Sequence, residues 1–457
     1  MKDKETFISV GGVAAGMSAA SRARRNRKEM RVMAFEKGNY VSYGACGLPY
    51  FVADITKTPD EVVVYPPEFF IKKRNIETFI RQEVRRINPK NKKIYVVDID
   101  SGREVELSYT QLAITTGAIP GKFDLKGSDL KNIVRIKTME DGIFIKEFIK
   151  NRKPGTIAII GGGYIAFEMA EAFRDRDIET IIIKRPGPIL RNFLDFDMAG
   201  MVEEEAARHK VTLIKDANIQ GFEGDERGEV KFLIVNDKKI PVDMVLVAIG
   251  VEPDSSLANE AGLLLNDDGT IYVDDYMRTS DPNIFAAGDC VGITHFLTGK
   301  HCYLPRGTIA NKQGRVAGEN ATGGKIKFYG VIGTAVGKIF DLTIGKTGLT
   351  TQEAEEAGFD FAVKKITAMS HAHTYPNPKP QPITIKLLID KKDKTIIGAQ
   401  AIGKLGVALR IDVLATIIYN RMDINTLSNL DLCYAPPYAP VWDPILVAAA
   451  EGAKLVG

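Results

Sequence analysis

One unit occurs twice in this chain, and it narrows the possible folds more than any other feature. The stretch "TFISVGGVAAGMSAASRARRNRKEMRVMAFEKG" (6–38) reads as an apolar strand, a glycine-rich turn, a helix with small residues facing inward, and a second strand ending at Glu36. The stretch "TIAIIGGGYIAFEMAEAFRDRDIETIIIKR" (156–185) repeats that plan. In a βαβ unit of this kind the glycines let the backbone approach a pyrophosphate. The helix start then offers free N–H groups and positive potential to its charge. A single glycine turn is weak evidence, because any tight strand-to-helix turn resembles it. Two in register, with Gly11 and Gly161 standing 150 residues apart, are much stronger.

The copies differ in informative ways. In the first, Gly11 and Gly16 hold the outer positions and Val13 replaces the middle glycine, while Glu36 falls 20 residues after Gly16. A carboxylate there can accept both hydroxyls of an adenosine ribose. The second copy has Gly161 and Gly163, with Ala166 third, and Lys184 and Arg185 where the acid would stand. A carboxylate would repel a ribose 2′-phosphate, whereas these cations pair with one, so the second site should accept NADPH. The alternative is a solvated basic strand end that serves NADH or NADPH.

With 457 residues, the chain calls for two or three domains. Sixty-one basic against 58 acidic residues leave a net charge of +3, too balanced for a nucleic-acid or membrane-surface protein. Cys46, Cys290, Cys302 and Cys433 have no metal-like spacing, which argues against a metal site or a disulfide framework and fits a reducing cytoplasm. The start, "MKDKETFISVGG", enters a strand without an apolar leader, and no apolar run reaches about 18 residues. A cytoplasmic protein is expected.

Further along, "LAITTGAIP" (112–120), "VAIGVEPD" (247–254) and "TSDPNIFAAGD" (279–289) follow in order. Together with Glu36 they resemble the successive motifs of the two-dinucleotide flavoprotein disulfide reductases, and the resemblance runs the length of the chain. It implies an α/β fold of two Rossmann-like domains plus a C-terminal α+β dimerisation domain, with the NAD(P)H domain (119–253) inserted in the FAD domain (1–118 and 254–327). Residues 328–457 would form the dimerisation domain, so a homodimer is expected. There "DLTIGKTGL", "ITIKLLID" and "TIIGAQAIG" read as strands, and "GVALRIDVLATIIYN" and "PILVAAAEGA" as helices. By the same resemblance FAD would be held by Gly11, Val13, Gly16, Glu36, Lys37, Thr116, Gly117, Asp289 and Ala310. Asp289 would meet the ribityl chain; its alternative is an N-cap for the segment that follows. The nicotinamide coenzyme would be held by Gly161, Gly163, Tyr164, Ile165, Glu168, Lys184, Arg185 and Gly250. Tyr164 matches the family's aromatic lid, and Glu168 the residue beside the carboxamide.

The loop "VSYGACGLPYF" (41–51) carries one cysteine, Cys46, where glutathione-reductase-like members carry two, and their C-terminal His-Pro-Thr is missing as well. The chain is similar instead to the single-cysteine branch: coenzyme A-disulfide reductases, NAD(P)H polysulfide reductases, and NADH oxidases and peroxidases. Without a neighbouring thiol, Cys46 must store its oxidising equivalent as a mixed disulfide with a small thiol or as a sulfenic acid. A lowered thiol pKa, set by the flavin and a helix start, is expected to favour its attack.

Arg22 and Arg25 share a helix face and, with Ser42, match the residues by which coenzyme A-disulfide reductases hold their ligand. Ala45 departs from the asparagine usual there, and the arginines read equally as a solvated face. Tyr434, in "NLDLCYAPPYAPVWDP" (429–444), matches the tyrosine that the partner subunit sends into the active site, and Tyr375 in "SHAHTYPNPKP" (370–380) is its companion. Either phenol could protonate a departing thiolate, with His371 and His373 as rival donors. Cys433 is either a buried packing residue or a thiol that resolves the Cys46 mixed disulfide across the dimer, and Cys290 and Cys302 are assigned to packing. Arg306, where the family usually has leucine, suggests contact with an anionic substrate. The expected activity is FAD-dependent reduction of coenzyme A disulfide or per- and polysulfides by NAD(P)H. The alternatives are an oxidase or peroxidase using oxygen or peroxide, and a sensor that binds FAD and nicotinamide without turnover.

Overall fold

A computed structural model describes residues 5–457. The first βαβ unit builds a five-stranded parallel sheet in the order Ile284–Ala286, Gln111–Ile114, Thr6–Val10, Arg31–Phe35, Glu77–Phe79. Its strands are apolar almost without interruption because helices or a second layer cover both faces; Phe7, Ile8, Leu112 and Ile114 are fully buried. The helix Ala14–Asn26 lies against the helix Gly307–Asn320. A Cβ at Gly314 would stand 2.2 Å from the Ala15 carbonyl oxygen, and one at Gly318 2.3 Å from that of Ala19. Only glycine permits so close an approach.

The second unit builds another parallel sheet, ordered Val211–Ile214, Glu179–Ile183, Thr156–Ile160, Met244–Val247, Ile133–Val134. An antiparallel ribbon joins Ala118–Pro120 to Val251–Pro253. These are the segments by which the chain leaves the first sheet and returns to it, so the second unit is an insertion in the first.

The C-terminal part is a five-stranded antiparallel sheet, ordered Ala335–Ile339, Leu342–Gly348, Ile396–Gly403, Pro382–Asp390, Phe361–Met369. The helices Val407–Tyr419 and Pro444–Ala453 pack on it through Ile411, Leu414, Ile418, Ile445 and Ala448. All five elements read from the sequence here are present. The edge strands Ala335–Ile339 and Phe361–Met369 are additional; they are half-exposed and carry lysines, so they lack a clear apolar signature.

This sheet also grips the inserted unit. The Lys386 ammonium, buried in a strand, lies 2.8 Å from an Asp195 carboxylate oxygen and 2.6 Å from one of Asp197. In the hairpin between Ala335–Ile339 and Leu342–Gly348, the Phe340 N–H donates to Glu171 at 2.7 Å and the Asp341 N–H to Glu205 at 3.0 Å. Among the described residues no helix is long and apolar enough to cross a membrane.

Candidate active site around Cys46

The first glycine turn is shaped as the sequence requires. Gly11 has φ +111° and a Cβ there would lie 2.3 Å from the Thr115 carbonyl oxygen, while one at Gly16 would lie 1.9 Å from that of Gly11. Val13 precedes the helix with no side-chain cap, which leaves the first N–H groups for a ligand. The Glu36 carboxylate accepts the Gly12 N–H at 2.7 Å and the Gly38 N–H at 2.8 Å. Burial raises its pKa and those two N–H groups oppose the rise. Each oxygen keeps a lone pair for a ribose hydroxyl. Lys37 lies 3.8 Å from Asp254, and the Thr116 hydroxyl donates to the Asp254 carbonyl at 2.5 Å. Gly117 (φ +78°) and Gly250 (φ +102°) sit at the two crossings and have no atom within 4 Å of a built Cβ. Ala310 is buried, its methyl 3.7 Å from where a Gly288 Cβ would stand.

Asp289 does not act as an N-cap: a turn and an isolated bridge follow it, and no helix. Its carboxylate instead accepts from Lys137 at 3.1 Å. The Gly11–Gly16 turn, the ribose acceptor Glu36 and the carboxylate of Asp289 thus line one face of the first sheet at the C-terminal ends of its strands, a donor and acceptor set that fits a dinucleotide.

Cys46 sits in a single turn of 3₁₀ helix, Ala45–Gly47, ahead of the short helix Leu48–Val52. Backbone hydrogen bonds hold this loop. Ser42, at φ +50°, donates its N–H to the Gly12 carbonyl at 2.9 Å, and Gly44 donates to Val62 at 3.0 Å. Leu48 and Phe51 pack on Met139 of the helix Met139–Arg152. The thiol is exposed and free. Among the protein's own groups the surrounding burial raises its pKa first and the Glu168 and Asp289 carboxylates raise it further, while Lys137 and a backbone hydrogen bond at Cys46 itself pull the other way.

Glu168 and Tyr164 come from the second unit and face the same space. There Gly161 (φ +143°) would place a Cβ 2.2 Å from the Ala248 carbonyl oxygen, and nothing lies within 4 Å of a Cβ built on Gly163. The helix Tyr164–Arg174 starts immediately afterwards, with Ile165 half-buried in its first turn. Burial and the neighbouring Glu171 push the Glu168 carboxyl up to about 7. Burial raises the Tyr164 phenol as well, with Cys46 and Glu168 adding to the rise and Arg306 opposing it. Residues about 120 positions along the sequence are therefore near enough to Cys46 to interact with it electrostatically.

Lys184 packs its stem against Gly162 and turns its ammonium onto the Arg185 and Gly187 carbonyls, at 2.8 and 2.5 Å. Arg185 is exposed. One Arg306 guanidinium nitrogen donates to the Gly333 and Thr334 carbonyls, at 2.6 and 2.8 Å, which fastens the helix start to the C-terminal part.

In the last turn of the helix Ala14–Asn26, Arg25 has its pKa lowered by burial first and then by the nearby Arg74, Arg22 and Arg315 guanidinium groups. Arg22 is paired with Glu319, whereas Arg25, Arg74 and Arg315 make no ion pair among the described residues. Sequence reasoning missed Arg74, Arg315 and Lys137, which come near Arg25 or Asp289 only in space.

The two tyrosines belong to another cluster. Tyr375 and Tyr434 are exposed, as are Tyr438, Val441 and Trp442. Their loops are tied together by the Ala372 N–H bond to Pro436 at 3.2 Å and by buried Arg410, which donates to both Ser370 and Asp443. His371 is not a free proton donor. It is buried, with one ring nitrogen 3.0 Å from the Ser370 hydroxyl and the other 2.9 Å from the Pro378 carbonyl oxygen. His373 is exposed. Cys433 is exposed rather than buried, Cys290 is fully buried, and Cys302 is half-buried on a hairpin.

Comparison with known proteins agrees with this arrangement. The chain is 35% identical over 446 residues to a protein of Pyrococcus horikoshii named NAD(P)H coenzyme A polysulfide/persulfide reductase, covering 98% of each chain. It is 35% identical over 447 residues to a Methanocaldococcus jannaschii protein named NADH oxidase, again covering 98% of each. The solved structure of an NAD-dependent persulfide reductase from A. fulgidus superposes with a TM-score of 0.94 at 38% identity, covering 98% of this chain and 83% of that one. The family model described as pyridine nucleotide-disulphide oxidoreductase matches residues 6–314, and the model of that family's dimerisation domain matches 334–444. With both dinucleotide units and the antiparallel C-terminal sheet accounted for, the chain belongs to the pyridine nucleotide-disulphide oxidoreductase family.

Proposed function

We propose that the protein is a cytoplasmic, homodimeric FAD enzyme that reduces coenzyme A disulfide, or related per- and polysulfides, with electrons from NAD(P)H through Cys46. The observations that carry this reading are an exposed thiol with no second cysteine in its loop, on a loop fastened to the first glycine turn, and a cluster of arginines, Arg25, Arg74 and Arg315, that make no ion pair among the described residues. A disulfide whose thiols carry phosphates has reason to bind there; oxygen or hydrogen peroxide has none. The exposed aromatic cluster around Tyr434 and Trp442 supports a dimer, since exposed apolar patches of this kind mark interfaces.

FAD fits the first unit through Gly11, Val13, Gly16, Glu36, Lys37, Thr116, Gly117, Asp289 and Ala310. The nicotinamide coenzyme fits the second through Gly161, Gly163, Tyr164, Ile165, Glu168, Lys184, Arg185 and Gly250. The first unit would comprise 1–118 and 254–327, the second 119–253, and the dimerisation domain 328–457. Bound FAD and NAD(P)H supply the two electrons that return a Cys46 mixed disulfide to the thiolate.

The rest is the work of this chain's side chains. The Cys46 thiolate attacks one sulfur of coenzyme A disulfide, forming a Cys46 mixed disulfide and releasing one coenzyme A thiolate. The phenol of Tyr434 or Tyr375, reaching in from the partner subunit, gives that thiolate a proton. Lys137 holds Asp289 and offsets part of the negative field at Cys46. Arg25, Arg74 and Ser42 hold the phosphates and arm, so the second coenzyme A leaves only after its sulfur is freed.

Mass spectrometry of the purified, unreduced protein tests the proposal. An adduct of coenzyme A mass on Cys46, with rapid anaerobic NAD(P)H consumption on adding coenzyme A disulfide, is the expected result. Added oxygen atoms on Cys46, with rapid oxygen uptake and no response to the disulfide, would assign the protein to the oxidases and peroxidases.

A further inference from the structure

The segment just beyond the Cys46 loop carries aromatic rings that the reading above does not use. Tyr65 stacks on Phe69 with centroids 4.3 Å apart and planes 13° apart, and Phe70 meets Tyr65 edge-on at 6.0 Å. Phe69 in turn has the Arg74 guanidinium 5.4 Å from its centroid. Tyr65 remains 40% exposed, and Val64 and Ile71 beside it are 62% and 47% exposed. Exposed apolar residues, a ring held in place by a second ring, and an arginine with no acidic partner among the described residues occur together in this segment.

The spot is fastened to the active-site loop. Gly44 donates to Val62 at 3.0 Å, Val64 donates to Ser42 at 2.8 Å, and Tyr43 bridges Val63 in antiparallel fashion. From Val62, opposite Gly44, Tyr65 is three residues on through bends at Val64 and Tyr65, so the two Cα atoms lie no more than about 11 Å apart. The ring therefore stands close to the active-site loop, and its partner ring Phe69 carries Arg74, one of the arginines proposed to hold phosphate.

We infer that Tyr65, backed by Phe69, is the platform on which the purine of the substrate's nucleotide handle stacks; this rests on the coenzyme A reading of the site. The chemistry is that of any exposed aromatic ring beside unpaired guanidinium groups. Base stacking on such a ring is largely independent of sequence or charge, and the neighbouring arginines supply the phosphate recognition. Because Tyr65 is exposed and Phe69 is backed by Arg74, replacing Tyr65 leaves the fold intact.

The test compares coenzyme A disulfide with pantethine, the disulfide of the same thiol arm without the nucleotide, as substrates of the holoenzyme. In the wild type, kcat/KM for coenzyme A disulfide should exceed that for pantethine. In Tyr65→Ala that ratio should fall about fivefold or more through KM, and in Tyr65→Phe it should be retained. An unchanged ratio in Tyr65→Ala overturns the platform while leaving the coenzyme A reading standing. A loss that is equal for both substrates also overturns it, since Tyr65 would then be positioning the Cys46 loop. A wild type that turns over neither disulfide overturns both.

Discussion

The Ser42 N–H donates to the Gly12 carbonyl at 2.9 Å, which fastens the loop of the reactive thiol directly to the turn of the first dinucleotide unit. One bond thus sets the thiol's place relative to whatever the turn holds. Chemistry at Cys46 and binding at the turn are coupled through the backbone, and side-chain changes should separate them cleanly.

Cys46→Ser should therefore keep its flavin and its reduction by NAD(P)H, yet lose disulfide reduction by about a thousandfold or more. The flavin absorbance spectrum and anaerobic stopped-flow reduction check the first part, and steady-state turnover of coenzyme A disulfide checks the second. Retained turnover would remove Cys46 from the reaction.

Charge next to the loop should be adjustable in both directions. Arg25→Ala removes an unpaired guanidinium and should raise KM for coenzyme A disulfide about tenfold or more, the scale of one lost charged hydrogen bond. Glu319→Gln removes the carboxylate now paired with Arg22, frees that arginine and should lower KM. Both effects should shrink in high salt.

At the other coenzyme, exposed Arg185 is the cation free to meet a 2′-phosphate, whereas the Lys184 ammonium is held on carbonyl oxygens. Arg185→Ala should shift the ratio of kcat/KM for NADPH over NADH toward NADH by about tenfold, and Lys184→Ala should shift it less. Steady-state kinetics with each coenzyme decides the order.

Glu168 should mark the protein's pH behaviour. Its carboxyl is pushed from an ordinary 4.5 up to about 7, so the folded state holds this proton more tightly than the unfolded one. The stability it contributes is complete below about pH 4.5 and is lost as pH rises toward 7. Glu168→Gln removes that loss, so its Tm should gain on the wild type progressively between pH 5 and 7.5. Parallel Tm curves would contradict it.

Much of this was legible because the decisive residues stand at fixed spacings on a repeated unit. Glu36 follows Gly16 at the length of one helix and one strand, and the strands of both parallel sheets are apolar enough to read directly. The C-terminal elements were legible for the same reason, apart from two edge strands whose exposed faces carry lysines. The field around Cys46 was not legible. Its sign is set by Glu168, from a different unit, and by Asp289, far along the chain, and no spacing along the sequence shows that both turn toward one sulfur. Arg74 and Arg315 escaped for the same reason, being neighbours of Arg25 only in space. The bonds of Arg306 to the Gly333 and Thr334 carbonyls were not legible either, because those carbonyls belong to a segment with no motif.

The grip of Lys386 on Asp195 and Asp197 bears on how this architecture tolerates recombination. A nicotinamide module grafted from a relative would leave a buried ammonium without its counter-ions unless it also brought acids at those two positions. Coenzyme preference should thus be exchangeable between such chains by point changes at the strand end, while whole-module swaps should succeed only when the C-terminal sheet travels with them.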